Sequence, residues 1–278
     1  MRWPSIQVNS YCTLLVNPTG WEGATIPVLV EIFQSIMEEF NSLVEVTPQR
    51  PIVIQPDPGL GCPRCCKDGT IYLSARQDYW SKYVYQFAHE YCHYLIDGPL
   101  DGELETTFWF EESICELASM VMLNKVTDRW LSWTQAIIPN NPLTARDQAL
   151  LRLKGFAPNN IPYLIDLLKE NPRIDVPLSE WIDNNKAVLS EPTYHRDMYN
   201  QIATVLYDLF TKYPDLWKVI PFLHRPTKED YADFKTFITI EIRSRINLEI
   251  EHFSVFERYL TGNNESTKGD TVGGQTLS

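Results

Sequence analysis

His89-Glu90-Tyr91-Cys92-His93 is the stretch from which the rest of the chain can be read. On an α-helix, positions four apart lie on one face, one turn above the other. His89 and His93 therefore present two imidazoles in line, a spacing at which they can grip one metal ion. Glu90 lies about 100° round the helix from His89. It is near enough to reach a water on such a metal without being a ligand itself. Two histidines buried in an ordinary core helix are the plain alternative, and the flanking residues argue against it. A zinc ion that does chemistry needs a third protein ligand and an open fourth position. Glu112 is the candidate, with eighteen residues between it and His93, in Phe108-Trp109-Phe110-Glu111-Glu112-Ser113-Ile114-Cys115-Glu116.

The helix that carries the motif is expected to start near Asp78, a good N-cap, and to end at Gly98-Pro99. Val84, Ala88, Tyr91 or Cys92, and Leu95 form its core stripe. Gln86, His89, His93 and Asp97 form the opposite face, and Asp97 is placed to orient a ligand. An acidic loop follows, with Asp97, Asp101, Glu103 and Glu105. A second helix is expected from about Thr107 to Asn124, with Ile114, Leu117, Ala118 and Val121 buried. Glu112 and Glu116 share one face of it. One would complete the metal shell, and the other would accept the N–H of a ligating imidazole and fix its tautomer. Glu111 points elsewhere on this reading, as plain surface. Cys92 and Cys115 read as small buried residues rather than ligands.

Upstream of the motif, turn formers around short apolar runs suggest two short strands within residues 1–20. Val28, Ile32, Ile36, Phe40 and Leu43 recur every three or four residues, the pattern of an amphipathic helix over 26–44. Pro51-Ile52-Val53-Ile54-Gln55 reads as a strand. Cys62-Pro63-Arg64-Cys65-Cys66 follows as a loop and ends in the turn signal Asp68-Gly69. A C-x-x-C pair can bind zinc or form a disulfide, but no second pair follows, and Cys12 is only a distant fourth ligand. Reduced, unligated cysteines are the simpler reading of Cys62, Cys65 and Cys66. Thr70-Ile71-Tyr72-Leu73-Ser74-Ala75 is a β-prone run, either an ordinary core strand or one that holds an extended peptide by backbone pairing.

Downstream the pattern is helical, over roughly 144–154, 161–169, 178–188, 195–212, 213–222 and 228–260, with Pro- and Asn-rich turns between. Residues beyond about 261 are rich in Gly, Ser, Thr and Asn and are expected to be disordered. One downstream segment offers chemistry, Tyr194-His195-Arg196-Asp197-Met198-Tyr199. Attack on a carbonyl needs a donor to the oxyanion that forms, and Tyr or His can donate while uncharged. Tyr199 is the first choice, opening a helix packed through Ile202, Val205, Leu206 and Leu209. Tyr194 and His195 stand behind it.

Composition narrows the classes. The chain has 278 residues, 44% of them hydrophobic, which is enough for a substantial core. Its net charge of -12, without a basic patch, argues against nucleic acid or an anionic membrane as partner. No apolar run approaches the length of a membrane span, so no membrane insertion is expected. The segment Met1-Arg2-Trp3-Pro4-Ser5-Ile6-Gln7 lacks the apolar stretch of a secretory leader, and the expected location is cytoplasmic.

H-E-x-x-H, eighteen residues and then Glu resembles the gluzincin zinc metallopeptidases, with the spacing of their aminopeptidase branch. Trp109-Phe110-Glu111-Glu112-Ser113-Ile114 is similar to that branch's W-L-N-E-G-F block, and Glu112 falls on its metal-ligand glutamate. Glu116 falls where thermolysin-like members place a carboxylate behind the first zinc histidine. Tyr199-Asn200-Gln201-Ile202-Ala203 is weakly similar to the branch's Y-E-K-G-A segment, whose tyrosine stabilises the oxyanion. The specific resemblance covers residues 78–119. The G-x-M-E-N strand that holds a substrate's free amine has no counterpart in Thr70–Ala75, which leaves exopeptidase specificity unsupported. The chain is also shorter than a full aminopeptidase and would be a bare catalytic domain.

The expectation is therefore an α+β, mainly helical, zincin-like fold. A small N-terminal sheet lobe with the motif helix spans 1–97, a helical lobe with the third ligand spans 98–262, and a tail spans 263–278. The implied function is hydrolysis of a peptide or protein substrate. Zn²⁺ would be held by His89, His93 and Glu112, with Glu90 as general base and Tyr199 as oxyanion donor. The alternative is a zinc-binding pseudo-peptidase that only binds a partner.

Overall fold

A computed structural model describes residues 3–17, 20–96, 108–133, 142–170, 173–191, 193–223, 234–245 and 252–262. The expected boundary between 97 and 98, the acidic loop of Asp97, Asp101, Glu103 and Glu105, and the tail from 263 lie outside these residues. The fold is mixed α/β and mostly helical, with one small sheet.

The sheet is built from β1 (Ser5–Gln7), β2 (Cys12–Leu15), β3 (Ile52–Pro56), β4 (Arg64–Cys65) and β5 (Thr70–Leu73). Its order is β1-β2-β3-β5-β4, with β2, β3 and β5 parallel and β1 and β4 antiparallel at the edges. Helix α1 (Ile26–Val44) supplies the crossover between parallel β2 and β3, a connection that hairpin turns cannot make. Alternate residues of the central strands are buried: Cys12 and Leu14, Ile52 and Ile54, Ile71 and Leu73. Register sets Cys12 beside Ile52, and Leu14 beside Ile54, which in turn faces Ile71. These side chains form one apolar face, the signature of a sheet covered on that side by helices.

Helix α2 (Trp80–Leu95) carries the metal motif. Its N-cap is Tyr79 rather than the expected Asp78, and no side chain caps its N-terminus. Its entry is held instead by Gln86. The Gln86 Oε1 accepts the N–H groups of Ser74 and Ala75 at 3.1 and 2.9 Å, and its amide donates to Ser74 Oγ. The β5–α2 connection is thereby tied to the helix one turn before His89. A ladder of rings from Phe33 of α1 through Phe87 to Tyr91 fixes the rotation of α2, with centroids 4.7 and 5.6 Å apart. With Phe87 and Tyr91 turned to α1, His89 and His93 face away from it.

They face α3 (Phe108–Ser132), which runs well past the expected end at Asn124. The two helices pack along their length, and the polar groups between them are paired. Ser119 Oγ donates to the carbonyl of Tyr85 at 3.0 Å, and Ser81 Oγ donates to Asn160, whose amide donates to Thr127. The expected division of α2 into a core stripe and an open polar face is therefore wrong: nearly the whole helix is buried, histidines included. Further helices surround this pair: α4 (Ala145–Phe156), α5 (Asn160–Glu170), α6 (Leu178–Leu189) and α7 (Arg196–Lys212). A 3-10 stretch Pro214–Phe222, a helical run over 234–245 and the helix Phe253–Thr261 complete them.

Two readings of the chain upstream of α2 change. Arg64 and Cys65, expected in a loop, pair with Tyr72 and Ile71 as strand β4. That puts β3 on one side of β5 and β4 on the other, with Ile71 and Tyr72 already paired to β4 where an extended peptide would have to add. Among the described residues, no helix is long and apolar enough to cross a membrane.

Candidate metal centre

Consecutive turns of α2 bring His89 and His93 together, and α3 lays Glu112 across them. His89 Nε2 lies 3.2 Å from His93 Nε2 and 3.3 Å from Glu112 Oε2, and His93 Nε2 lies 3.3 Å from Glu112 Oε1. Zinc binds such donors at 2.0–2.2 Å, so neighbouring corners of a tetrahedral shell are about 3.4 Å apart. One donor atom from each of the three residues lies within 4.8 Å of the others, close enough to be drawn onto one ion. Among the described residues, His89, His93 and Glu112 are the group whose donor atoms could hold a metal ion. A set of two imidazoles and one carboxylate suits zinc and leaves a fourth position.

The surroundings are buried and acidic. His93 is only 2% exposed, and its other nitrogen, Nδ1, meets Glu111 Oε1 at 2.7 Å. Glu111, read from the sequence as plain surface, is thus a buried partner of a ligand imidazole. Glu116, expected to take that role behind His89, comes to 3.9 Å of His89 Nδ1, too far for a hydrogen bond. Its carboxylate is taken instead by the Tyr85 hydroxyl and by Arg196 Nε at 3.3 Å.

These contacts set the charges. Burial lowers the His93 pKa, but Glu112 and Glu111 outweigh it and hold the imidazolium well above the ordinary histidine range. Burial raises the Glu112 carboxyl, yet the two imidazoles hold it below the usual carboxylate range. Burial pushes Glu116 up to about 7, with Arg196 pulling the other way. Glu90 is raised by burial and by Glu112, and lowered by the two histidines. A raised carboxyl beside a metal position suits a group that must accept and return a proton near neutral pH.

Glu90 also has a support that no sequence pattern signals. Cys66 donates its N–H to the Thr70 carbonyl of β5 at 2.8 Å, so the neighbouring Cys65 N–H points off the sheet, and that backbone group pulls the Glu90 carboxyl down against burial. The Cys65 thiol is buried there, its pKa raised well above normal by burial and by nearby Glu90. It is a neutral wall of the site. No disulfide joins any of the six cysteines.

The proposed oxyanion donors are separated by the structure. Tyr199 is fully buried, and its hydroxyl donates to the Thr193 carbonyl at 3.4 Å and accepts the His195 N–H. It lies in the first turn of α7 with its hydroxyl turned back onto the segment before that helix. Tyr194 is half-exposed and lies beside the site: its ring packs on Phe108, one turn before Glu112 on α3, with centroids 6.3 Å apart. Its ring packs edge-on against Tyr199, with centroids 5.2 Å apart. His195 Nε2 is buried without a hydrogen-bond partner, 3.6 Å from Glu191 Oε2.

Tyr85 was open to detection, because it sits four before His89 on the same helix face. Arg196 carries no such local signal. No protein-family model, curated protein or solved structure matches this chain.

Proposed function

We propose that the protein is a zinc-dependent metallopeptidase with a zincin-like catalytic fold. The triangle of donors on His89, His93 and Glu112, with the carboxyl of Glu90 beside it, carries this reading. The ion supplies a Lewis acid and lowers the pKa of a coordinated water toward about 7.

The chain's own residues do the rest. Glu90 takes a proton from the attacking water and hands it to the leaving amine. The Cys65 N–H aims the Glu90 carboxylate, and burial tunes its proton affinity. Glu111 holds the His93 ring in one orientation through Nδ1. Tyr194, whose ring packs on Phe108 one turn before Glu112 on α3, is the donor to the oxyanion on the attacked carbonyl. A purely structural zinc site has no use for a raised carboxyl beside the ligands, which favours catalysis over binding alone.

The test is metal content and turnover on a mixed peptide library for the wild type, Glu112→Ala and Glu90→Gln. Wild type should hold about one zinc and cut, Glu112→Ala should lose the metal, and Glu90→Gln should keep it but not cut. Zinc in the wild type with no library member cleaved would replace this reading with that of a zinc-binding interaction module.

A further inference from the structure

Arg196 is the first residue of α7. A cation there meets the positive end of the helix dipole, so it does not serve the helix. Its side chain turns to α2 and α3. Nε lies 3.3 Å from Glu116 Oε1, and Nη2 donates to the Tyr85 hydroxyl at 3.1 Å. The guanidinium also lies over the Tyr85 ring, 5.8 Å from its centroid. Tyr85 in turn donates to Glu116, which closes a three-membered ring of contacts. Glu116 is 1% exposed, so its charge has this cation as its close counterpart.

The anchored segment is the short one that presents Tyr194. Tyr194 has half its surface open and no secondary structure of its own. On one side it rests on Tyr199, which holds the Thr193 carbonyl. On the other side Arg196 follows it by two residues. We propose that Arg196 is a positioning residue: its fork on Glu116 and Tyr85 fixes the turn before α7 and so sets Tyr194, whose ring packs on Phe108 one turn before Glu112, beside the metal position. Glu116 is thereby the anchor of the oxyanion donor rather than the partner of a ligand histidine. A planar fork is needed because two acceptors on two helices must be reached at once. A lysine ammonium can satisfy Glu116 but holds the orientation less firmly.

The inference rests on the peptidase reading, and a double-mutant cycle on the zinc-loaded full chain tests it. Arg196→Met should lower kcat by about tenfold or more, with KM and zinc content unchanged and with Arg196→Lys recovering most of the loss. In a Tyr194→Phe background the same change should cost less than about twofold, because the group it positions has gone. Equal losses in both backgrounds, or no loss in the wild type, would overturn the inference. Cobalt(II) in place of zinc gives a readout without turnover. Arg196→Met and Tyr194→Phe should shift its visible bands alike, and an unshifted Arg196→Met spectrum would also overturn it. A wild type that takes up cobalt but cleaves nothing sinks the peptidase reading and leaves the spectra to decide this one. A wild type that binds no metal sinks both.

Discussion

Glu111 Oε1 sits 2.7 Å from His93 Nδ1, while Glu112 Oε1 sits 3.3 Å from the Nε2 of the same ring. Two carboxylates adjacent in sequence therefore bracket one imidazole from its two sides. Glu112 faces the metal position, and Glu111 locks the ring from behind. The arrangement raises the basicity of His93, and it has measurable consequences.

Removing the rear carboxylate should weaken the metal without destroying the shell. Glu111→Ala is expected to lower zinc affinity by about 10- to 100-fold, the range for a lost partner of a ligating histidine. Glu111→Gln should lose less, because its amide oxygen can still accept the Nδ1 proton. Competition against a chelator of known affinity measures both. An Ala variant with wild-type affinity would mean that the contact does not orient the ligand.

The two tyrosines should separate cleanly. Tyr194→Phe is expected to lower kcat by about 10²–10³ with zinc retained, as for a lost oxyanion donor. Tyr199→Phe removes a buried hydrogen bond and should cost about 1 kcal/mol of stability with a much smaller effect on rate. Kinetics beside urea melts distinguish them. The reverse pattern would return Tyr199 to the site.

Metal binding should release protons. Without metal, His93 is held protonated above its ordinary range by Glu112 and Glu111, so the pair's contribution to stability is complete below about 6.5 and fades as pH rises through the raised value. Zinc takes the neutral imidazole, so near neutral pH its binding must displace that proton. Apparent affinity should therefore rise with pH, by up to about tenfold per unit, until His93 is neutral. Glu112 is held below the usual carboxylate range and stays available at mildly acidic pH. Calorimetry in two buffers of different ionisation enthalpy counts the protons, and none released at pH 7 would contradict this account.

Gly69 connects the fold to the site. It has φ +84°, and an added Cβ would lie 2.3 Å from the Pro51 carbonyl oxygen. This turn joins β4 to β5, and β4 holds the Cys65 N–H at Glu90. Gly69→Ala should cost about 2 kcal/mol or more in a urea melt, from both the clash and the left-handed backbone. The cleavage rate should fall with it. Unchanged stability would show that the turn relaxes freely.

Much of this protein was settled locally in its sequence. The 3.6-residue period of a helix brings His89 and His93 into line wherever the helix sits, and the stripe from Val28 to Phe40 makes α1 amphipathic in any context. Glu112 could be named because zinc chemistry requires a third donor and its spacing from His93 resembles that of the gluzincins. Only the tertiary structure decided how two helices meet. Glu111 and Glu112 differ by about 100° round α3, and both reach His93 because of the angle at which α3 crosses α2, which no single-helix pattern encodes. The same holds for Tyr194 against Tyr199, where proximity to Glu112 depends on a turn pinned by Arg196. It holds also for Arg64 and Cys65, a strand too short to show a period and formed only because β5 lies beside it. Local geometry repeats with the backbone and can be read one element at a time, whereas the site's supporting contacts join residues from elements that meet only once the chain is folded.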